Sequence, residues 1–130
     1  MNAPNPQSDS TFEAISQKIY DHLEARDWQN NPLRGLAISI ALEANELLEH
    51  FQWREEPVGT TEELAEELAD IFIYAFQFAH RTNIDIPDAI AKKLEKSAIK
   101  YPAEHFKNRS AEDRRKLWLE DKMKHRKSGL

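Results

Sequence analysis

The stretch from Thr60 to Arg81, TTEELAEELADIFIYAFQFAHR, decides the fold. Its apolar residues recur every three or four positions, which is the spacing of one face of an α-helix. Either Thr60 or Thr61 is suited to cap this helix, because a threonine hydroxyl can accept a hydrogen bond from a first-turn N–H group. Glu62 and Glu63 then stand in the first turn, where negative charge is favourable. The stripe predicted to face the core consists of Leu64, Leu68, Ile71, Ala75 and Phe78.

Helical patterns also flank this stretch on both sides. Ser10 and Glu13 have the spacing of a capping box at the start of a first helix. Four strong helical patterns with short connections indicate an all-α protein, namely a four-helix bundle followed by a polar C-terminal helix or tail. The other predicted helices run from Ser10 to about Arg26, from about Leu33 to Trp53, from Ile86 to near Tyr101, and from Ser110 through Met123.

The length and composition of the chain favour one helical domain. It has 130 residues, of which 32% are charged and only 3 are glycine, a mixture typical of soluble helical proteins. We expect residues 1–9 to be disordered because they are polar and contain prolines. Residues 10–103 are expected to form the helical domain that carries the function, and residues 104–130 a polar C-terminal extension.

Composition and charge exclude several classes of function. The chain has no cysteine, which excludes disulfides, zinc–thiolate sites and thiol nucleophiles, and which fits a reducing cytoplasm. A formal net charge of -5 argues against a nucleic-acid partner. The most apolar run, Ile71–Ala79, is too short to cross a bilayer, and the polar N-terminus lacks the apolar core of a signal peptide. We therefore expect a soluble cytoplasmic protein that binds neither nucleic acid nor membranes.

Acidic residues interrupt the core-facing sides of two predicted helices. On the second helix, Glu43 falls inside the apolar stripe and Glu46 lies on its border. On the third helix, Glu67 lies at the edge of the stripe and Asp70 continues that side. A carboxylate that faces a core is costly unless it is paired, protonated or bound to a metal ion. The stripe of the second helix consists of Leu36, Ile40, Leu47 and Phe51, whereas Glu49, Glu63 and Glu66 are expected to face solvent.

The two acid pairs, each with i, i+3 spacing, can face each other across two packed helices. Four carboxylates at close range repel one another, and a hard divalent cation with oxygen ligands, usually Mg²⁺, removes that repulsion. On the pattern alone, partly buried ion pairs explain the four carboxylates as well as a metal site does. A di-iron site is excluded because no histidine follows a glutamate by three residues. We refer to Glu43, Glu46, Glu67 and Asp70 together as the acidic quartet.

Four blocks of sequence carry a resemblance to a known family. Residues 43–53, EANELLEHFQW, and residues 66–70, EELAD, stand between Arg26-Asp27-Trp28 and Lys100-Tyr101-Pro102. In this order they resemble the MazG-like nucleotide pyrophosphohydrolases, and in particular the dCTP pyrophosphatase branch. The resemblance implies an all-α enzyme that hydrolyses a nucleoside triphosphate to the monophosphate and pyrophosphate. Its implied cofactor is Mg²⁺, for which Mn²⁺ can substitute, and its implied substrate is dCTP or a modified dCTP.

The resemblance also implies roles for individual residues. The acidic quartet would bind the metal ion, and either Glu46 or Glu67 would act as the general base. Tyr74 would assist at the phosphates. The remaining implied substrate contacts are aromatic residues that hold the base and basic residues that neutralise the phosphates: Trp28, Trp53, Arg34, Lys93 and Lys100.

Two positions depart from the family pattern, because Gly35 and Ser97 stand where asparagine is usual. These departures leave room for a non-catalytic helical module that binds a nucleotide or a protein partner. A related hydrolase of dUTP or another pyrimidine nucleotide is a further alternative, since an aromatic pair would stack on any base.

The third helix also predicts self-association. Beyond its core stripe, Phe72, Ile73 and Phe76 cover the remaining sides of its C-terminal half. A helix that is apolar all round is buried all round, and a chain of 130 residues can hardly provide that burial alone. We therefore expect a homo-oligomer, and the resemblance implies a homodimer or a tetramer made of two dimers.

Overall fold

The computed structural model describes residues 10–126, and these residues are helical without a β-strand. The predicted all-α class is therefore confirmed, although the described chain has six helices. The prediction for residues 1–9 lies outside the described residues, and the expected boundary at residue 103 stays a prediction. The helices are α1 Phe12–Glu24, α2 Leu33–Glu49, α3 Thr61–Thr82, α4 Ile86–Lys100, α5 Ala103–Phe106 and α6 Ala111–Arg126.

The chain divides after Asp85 into two compact units. In the first unit α2 packs along α3, and α1 packs against α3 through aromatic rings. The ring centroids of Phe12 and Phe76 are 4.8 Å apart. Those of Tyr20 and His80 are 4.4 Å apart. The buried apolar residues of this unit are Leu23, Leu36 and Ala79.

Helix α3 begins with a complete capping box. The Thr60 hydroxyl accepts a hydrogen bond from the N–H of Glu63 at 3.2 Å, and the Glu63 carboxylate accepts one from the N–H of Thr60 at 2.8 Å. The helix ends at Asn83, whose backbone is left-handed with φ 56°. Of the two predicted caps, Thr60 is thus the one that the structure uses.

The predicted start of α1 and the predicted end of α2 are wrong. The cap of α1 is Thr11 rather than Ser10, since the Thr11 hydroxyl accepts from the N–H of Ala14 at 3.2 Å. Helix α2 ends at Glu49 instead of Trp53, since the N–H groups of His50, Phe51 and Gln52 donate to carbonyls only three residues earlier, where an α-helix uses the carbonyl four residues earlier. The carbonyl of His50 then accepts a hydrogen bond from the N–H of Val58 at 2.9 Å.

Two residues of the predicted core stripes are more exposed than expected. Phe51 lies beyond the end of α2 and is 39% exposed. Leu68 on α3 is 47% exposed.

The second unit consists of α4, α5 and α6, with α6 in contact with both other helices. The ring of Tyr101 stacks on that of Trp118 at 6.2 Å. Ser110 caps α6, since its hydroxyl accepts a hydrogen bond from the N–H of Asp113 at 3.1 Å. Helix α5 was not predicted, because its 4 residues are too few to show a period. No helix of the described residues has the length and apolar character needed to cross a membrane.

Replacement of Thr60 by alanine should lower the free energy of unfolding by about 1 kcal/mol, since it removes the cap of α3. Urea denaturation measures this change. Thr61→Ala is the matched control because the capping box does not use the Thr61 side chain. An equal loss in both variants would contradict a specific capping role for Thr60.

Candidate metal centre

Helices α2 and α3 bring the acidic quartet together. Each of its four residues offers a carboxylate oxygen, and these oxygens all lie within 4.8 Å of one another. The arrangement arises because residues three positions apart share one side of a helix, and because α2 packs along α3. Within residues 10–126, no other cluster of three or more histidine or acidic side chains meets this criterion.

The electrostatics of the quartet are unfavourable without a cation. Burial raises the pKa of the Glu43 carboxyl above its ordinary value of 4.5, and a hydrogen bond and like charge at Glu46 raise it further. The charges of Asp70 and Glu67 act in the same direction. Glu43 Oε2 is buried and has no hydrogen-bond partner among the described residues.

These properties fit a hard divalent cation. Such a cation prefers carboxylate oxygens, and the quartet supplies one from each of four side chains. The buried Glu43 oxygen would gain a partner, and the mutual repulsion would be offset by positive charge. The quartet could therefore hold a metal ion.

Glu67 has a second neighbour that sequence analysis missed. His50 Nε2 lies 3.5 Å from Glu67 Oε1. Burial and the neighbouring Glu46 raise the pKa of the Glu67 carboxyl, whereas His50 lowers it. The sequence does contain a signal for this neighbour. His50 follows Glu46 by four residues, so it lies one helical turn further along, on the same side as Glu46.

An open cavity of about 460 Å³ adjoins the quartet, and we refer to it as the quartet cavity. Trp53 lines it and is 84% exposed, so its ring is available for stacking. Glu49 is exposed, as predicted, but it also lines the cavity. The complete lining is Glu46, Glu49, His50, Trp53, Val58 and Glu67.

Other predicted site residues of the first unit lie outside this lining. Trp28 follows α1, is 54% exposed and has the Arg26 guanidinium 6.0 Å from its ring centroid. Tyr74 lies on α3, one turn after Asp70, and is partly buried. Arg34 is exposed in the first turn of α2.

The remaining predicted residues belong to the second unit. Lys93 is exposed on α4, and Lys100 ends that helix with its Nζ 5.5 Å from the ring centroid of Tyr101. Ser97 is partly buried on α4. The roles of these residues stay predictions.

Comparison with known proteins identifies relatives of this chain. The model of the MazG-like family matches residues 38–114, which include the whole acidic quartet. Among curated proteins, dCTP pyrophosphatase 1 of Bos taurus is 34% identical over 113 residues, covering 80% of this chain. The enzyme of the same name from Mus musculus is 31% identical over 110 residues, covering 78% of this chain. The matched segments span only 66% and 64% of those two relatives, respectively.

A solved structure supports the same relationship. A pyrophosphatase from Archaeoglobus fulgidus superposes with a TM-score of 0.60 at 26% sequence identity. The match covers 78% of this chain and 98% of the archaeal one. The predicted MazG-like resemblance, in its dCTP pyrophosphatase-like branch, is confirmed by these matches together.

Divalent cations should stabilise the folded protein through the quartet. Mg²⁺ at about 100 times its dissociation constant adds about 2.7 kcal/mol to the free energy of unfolding. Thermal denaturation with and without Mg²⁺ measures this gain, which Glu43→Gln or Asp70→Asn should abolish. Glu66→Gln, an exposed neighbour outside the quartet, should keep it. Retention of the full gain in Glu43→Gln would show that the ion binds elsewhere.

In metal-free protein, Glu43→Gln should be more stable than the wild type at neutral pH. A raised pKa means that the folded state holds the Glu43 proton more tightly than the unfolded chain does. The resulting stability is complete below pH 4.5 and is lost as the pH rises through the raised pKa. The advantage of Glu43→Gln should therefore grow as the pH increases from 4.5, as measured by urea unfolding at a series of pH values. The same trend in Glu66→Gln would contradict this assignment.

Proposed function

The chain belongs to the MazG-like family, and we propose that it hydrolyses a nucleoside triphosphate to the monophosphate and pyrophosphate. The observation that carries this proposal is the convergence of four carboxylate oxygens within 4.8 Å of one another, inside the part of the chain that the family matches. A triphosphate carries several negative charges, so an acidic site can receive it only when a cation neutralises the charges of the carboxylates and of the phosphates. The proposal therefore includes a metal ion at the quartet.

The proposed cofactor is Mg²⁺, with Mn²⁺ as a substitute, held by the acidic quartet. When bound, the ion supplies positive charge against the phosphate oxygens and makes a water molecule easier to deprotonate. Carboxylates on two packed helices suit this task, because the fold keeps their oxygens together against their mutual repulsion. The cation would offset that repulsion.

The chain itself would supply the base and the positioning groups. Glu46 and Glu67 both line the quartet cavity, and we propose that one of them takes a proton from the attacking water. Alignment of water and phosphate within the cavity supplies the remaining rate enhancement.

Recognition of the base would fall to aromatic residues. The exposed ring of Trp53 at the quartet cavity offers a stacking surface, and we propose Trp28 as a second one. Tyr74 would assist at the phosphates, and Arg34, Lys93 and Lys100 would neutralise them. Because the curated relatives are named dCTP pyrophosphatase 1, we propose dCTP or a modified dCTP as the substrate.

We propose that Gly35 bears on the choice of substrate, because it stands where the family resemblance predicts asparagine. A Cβ atom placed at Gly35 would meet nothing within 4 Å, so this position offers open space where the family resemblance predicts an amide. The activity test therefore also measures whether the base preference is altered, for example toward dUTP.

We also propose that the protein forms a homodimer or a tetramer made of two dimers, in the cytoplasm. Large apolar side chains remain exposed on α2 and α3, notably Leu42 at 57%, Leu48 at 63% and Phe72 at 55%. Phe76, which was also assigned to this surface, instead contacts Phe12 within the same unit. The absence of cysteine from the sequence fits the reducing compartment.

A pyrophosphate-release screen tests the function. With Mg²⁺ and a panel of canonical and modified deoxynucleoside triphosphates, we expect monophosphate and pyrophosphate from dCTP or a modified dCTP. Glu46→Gln and Glu67→Gln should each lower kcat by about 10²- to 10⁴-fold. Glu66→Gln is the matched control and should retain the activity of the wild type.

Two results of the screen would contradict the proposal. Release of orthophosphate would place the cleavage at a different phosphoanhydride bond. Metal-dependent nucleotide binding without any turnover would instead favour the non-catalytic module.

A further inference from the structure

His50 connects the end of α2 to the acidic quartet. Its side chain is 15% exposed and stands between the turn that precedes α3 and a carboxylate of the quartet. On one side, Nδ1 accepts a hydrogen bond from the backbone N–H of Gly59 at 3.2 Å. On the other side, Nε2 lies 3.5 Å from Glu67 Oε1. Each ring nitrogen therefore has a distinct neighbour.

The Gly59 contact determines where the imidazole proton lies. A backbone N–H can only donate, so Nδ1 must present its lone pair to Gly59. A neutral imidazole carries one proton, which is then on Nε2 and directed at Glu67. The tautomer thus follows from a main-chain contact and does not depend on the carboxylate.

The turn holds the ring in place through two adjacent residues. The N–H of Val58 donates to the backbone carbonyl of His50 at 2.9 Å, next to the bond from Gly59 to the ring. A side chain at residue 59 would force the His50 ring to move, because a Cβ there would lie 2.5 Å from His50 Cε1 and 2.6 Å from Nδ1. It would also lie 2.5 Å from Glu63 Oε2, which belongs to the capping box of α3.

We propose that His50 is a positioning residue that donates its Nε2–H to Glu67 and thereby fixes the orientation of this carboxylate for metal binding. The inference rests on the proposed function, since it requires that the quartet hold a divalent cation. The short distance from His50 Nε2 to Glu67 Oε1, together with the Gly59 bond that fixes the other ring nitrogen, supports this assignment. Histidine is suited to this role because its two nitrogens can act as acceptor and donor at once.

Such outer contacts have a measurable effect on metal sites. Loss of a group that orients a ligand typically weakens metal binding by about 10- to 100-fold.

Two substitutions separate the two contacts of His50. The amide nitrogen of glutamine can stand near the position of Nε2 and donate to Glu67, whereas the amide oxygen of asparagine can stand near Nδ1 and accept from Gly59.

Calorimetric titration of the full chain with Mn²⁺ compares these variants. We expect His50→Asn to bind Mn²⁺ about 10- to 100-fold more weakly than the wild type and His50→Gln to recover most of that loss. Thermal denaturation of the metal-free variants reports folding separately. Equal Mn²⁺ affinity in His50→Asn and the wild type would overturn the inference, and so would tighter binding in His50→Asn than in His50→Gln. Either result would leave His50 as an anchor of the turn.

A spectroscopic measurement tests the assigned tautomer of His50 without metal. Long-range ¹H–¹⁵N correlation of metal-free wild-type protein should show the neutral His50 ring protonated at Nε2 and not at Nδ1. A proton on Nδ1 would overturn the inference even if the quartet binds metal. Failure of the wild type to bind Mn²⁺ would instead overturn the metal site of the proposed function, so the two failures are distinguishable.

Discussion

Repulsion among four carboxylates is the constraint on which the site depends. The packing of α2 along α3 fixes the backbone positions of the quartet, and the fold therefore retains an arrangement that the charges by themselves oppose. Two observations indicate this cost. The pKa of Glu43 is raised, and one of its carboxylate oxygens is buried without a hydrogen-bond partner among the described residues. Binding of the proposed cation would offset this repulsion, so the geometry that weakens the metal-free fold would favour metal binding.

The quartet could be predicted from sequence because it depends on regular structure. Glu43 lies within an apolar stripe, and helical periodicity alone places Glu46 beside it and pairs Glu67 with Asp70. No knowledge of loops is needed to bring i, i+3 residues to one side of a helix. The Thr60 and Ser110 caps were predictable for the same reason, since a cap acts within its own first turn.

Features that depend on irregular backbone were not predictable. The turn after α2 is closed by a hydrogen bond from Val58, eight residues beyond the carbonyl that accepts it, and the proposed role of His50 depends on Gly59 in the same turn. Phe76 was assigned to an oligomer surface because the sequence does not reveal that Phe12 of α1 packs on it. Periodicity describes one helix at a time, whereas these contacts depend on the path between helices.

The turn between α2 and α3 also bears on how the family could diversify. Its two ends are joined by hydrogen bonds from Val58 and Gly59 to the same residue, His50, so the intervening chain forms a loop closed at its base. Trp53, the proposed base-stacking residue, lies inside this loop, while the quartet lies outside it on the helices. On the proposed roles, exchange or lengthening of residues 51–57 would alter one stacking surface for the base while leaving the carboxylates in register. Base stacking by Trp53 and metal binding by the quartet would then lie on separable segments of the chain, and one could evolve without dismantling the other.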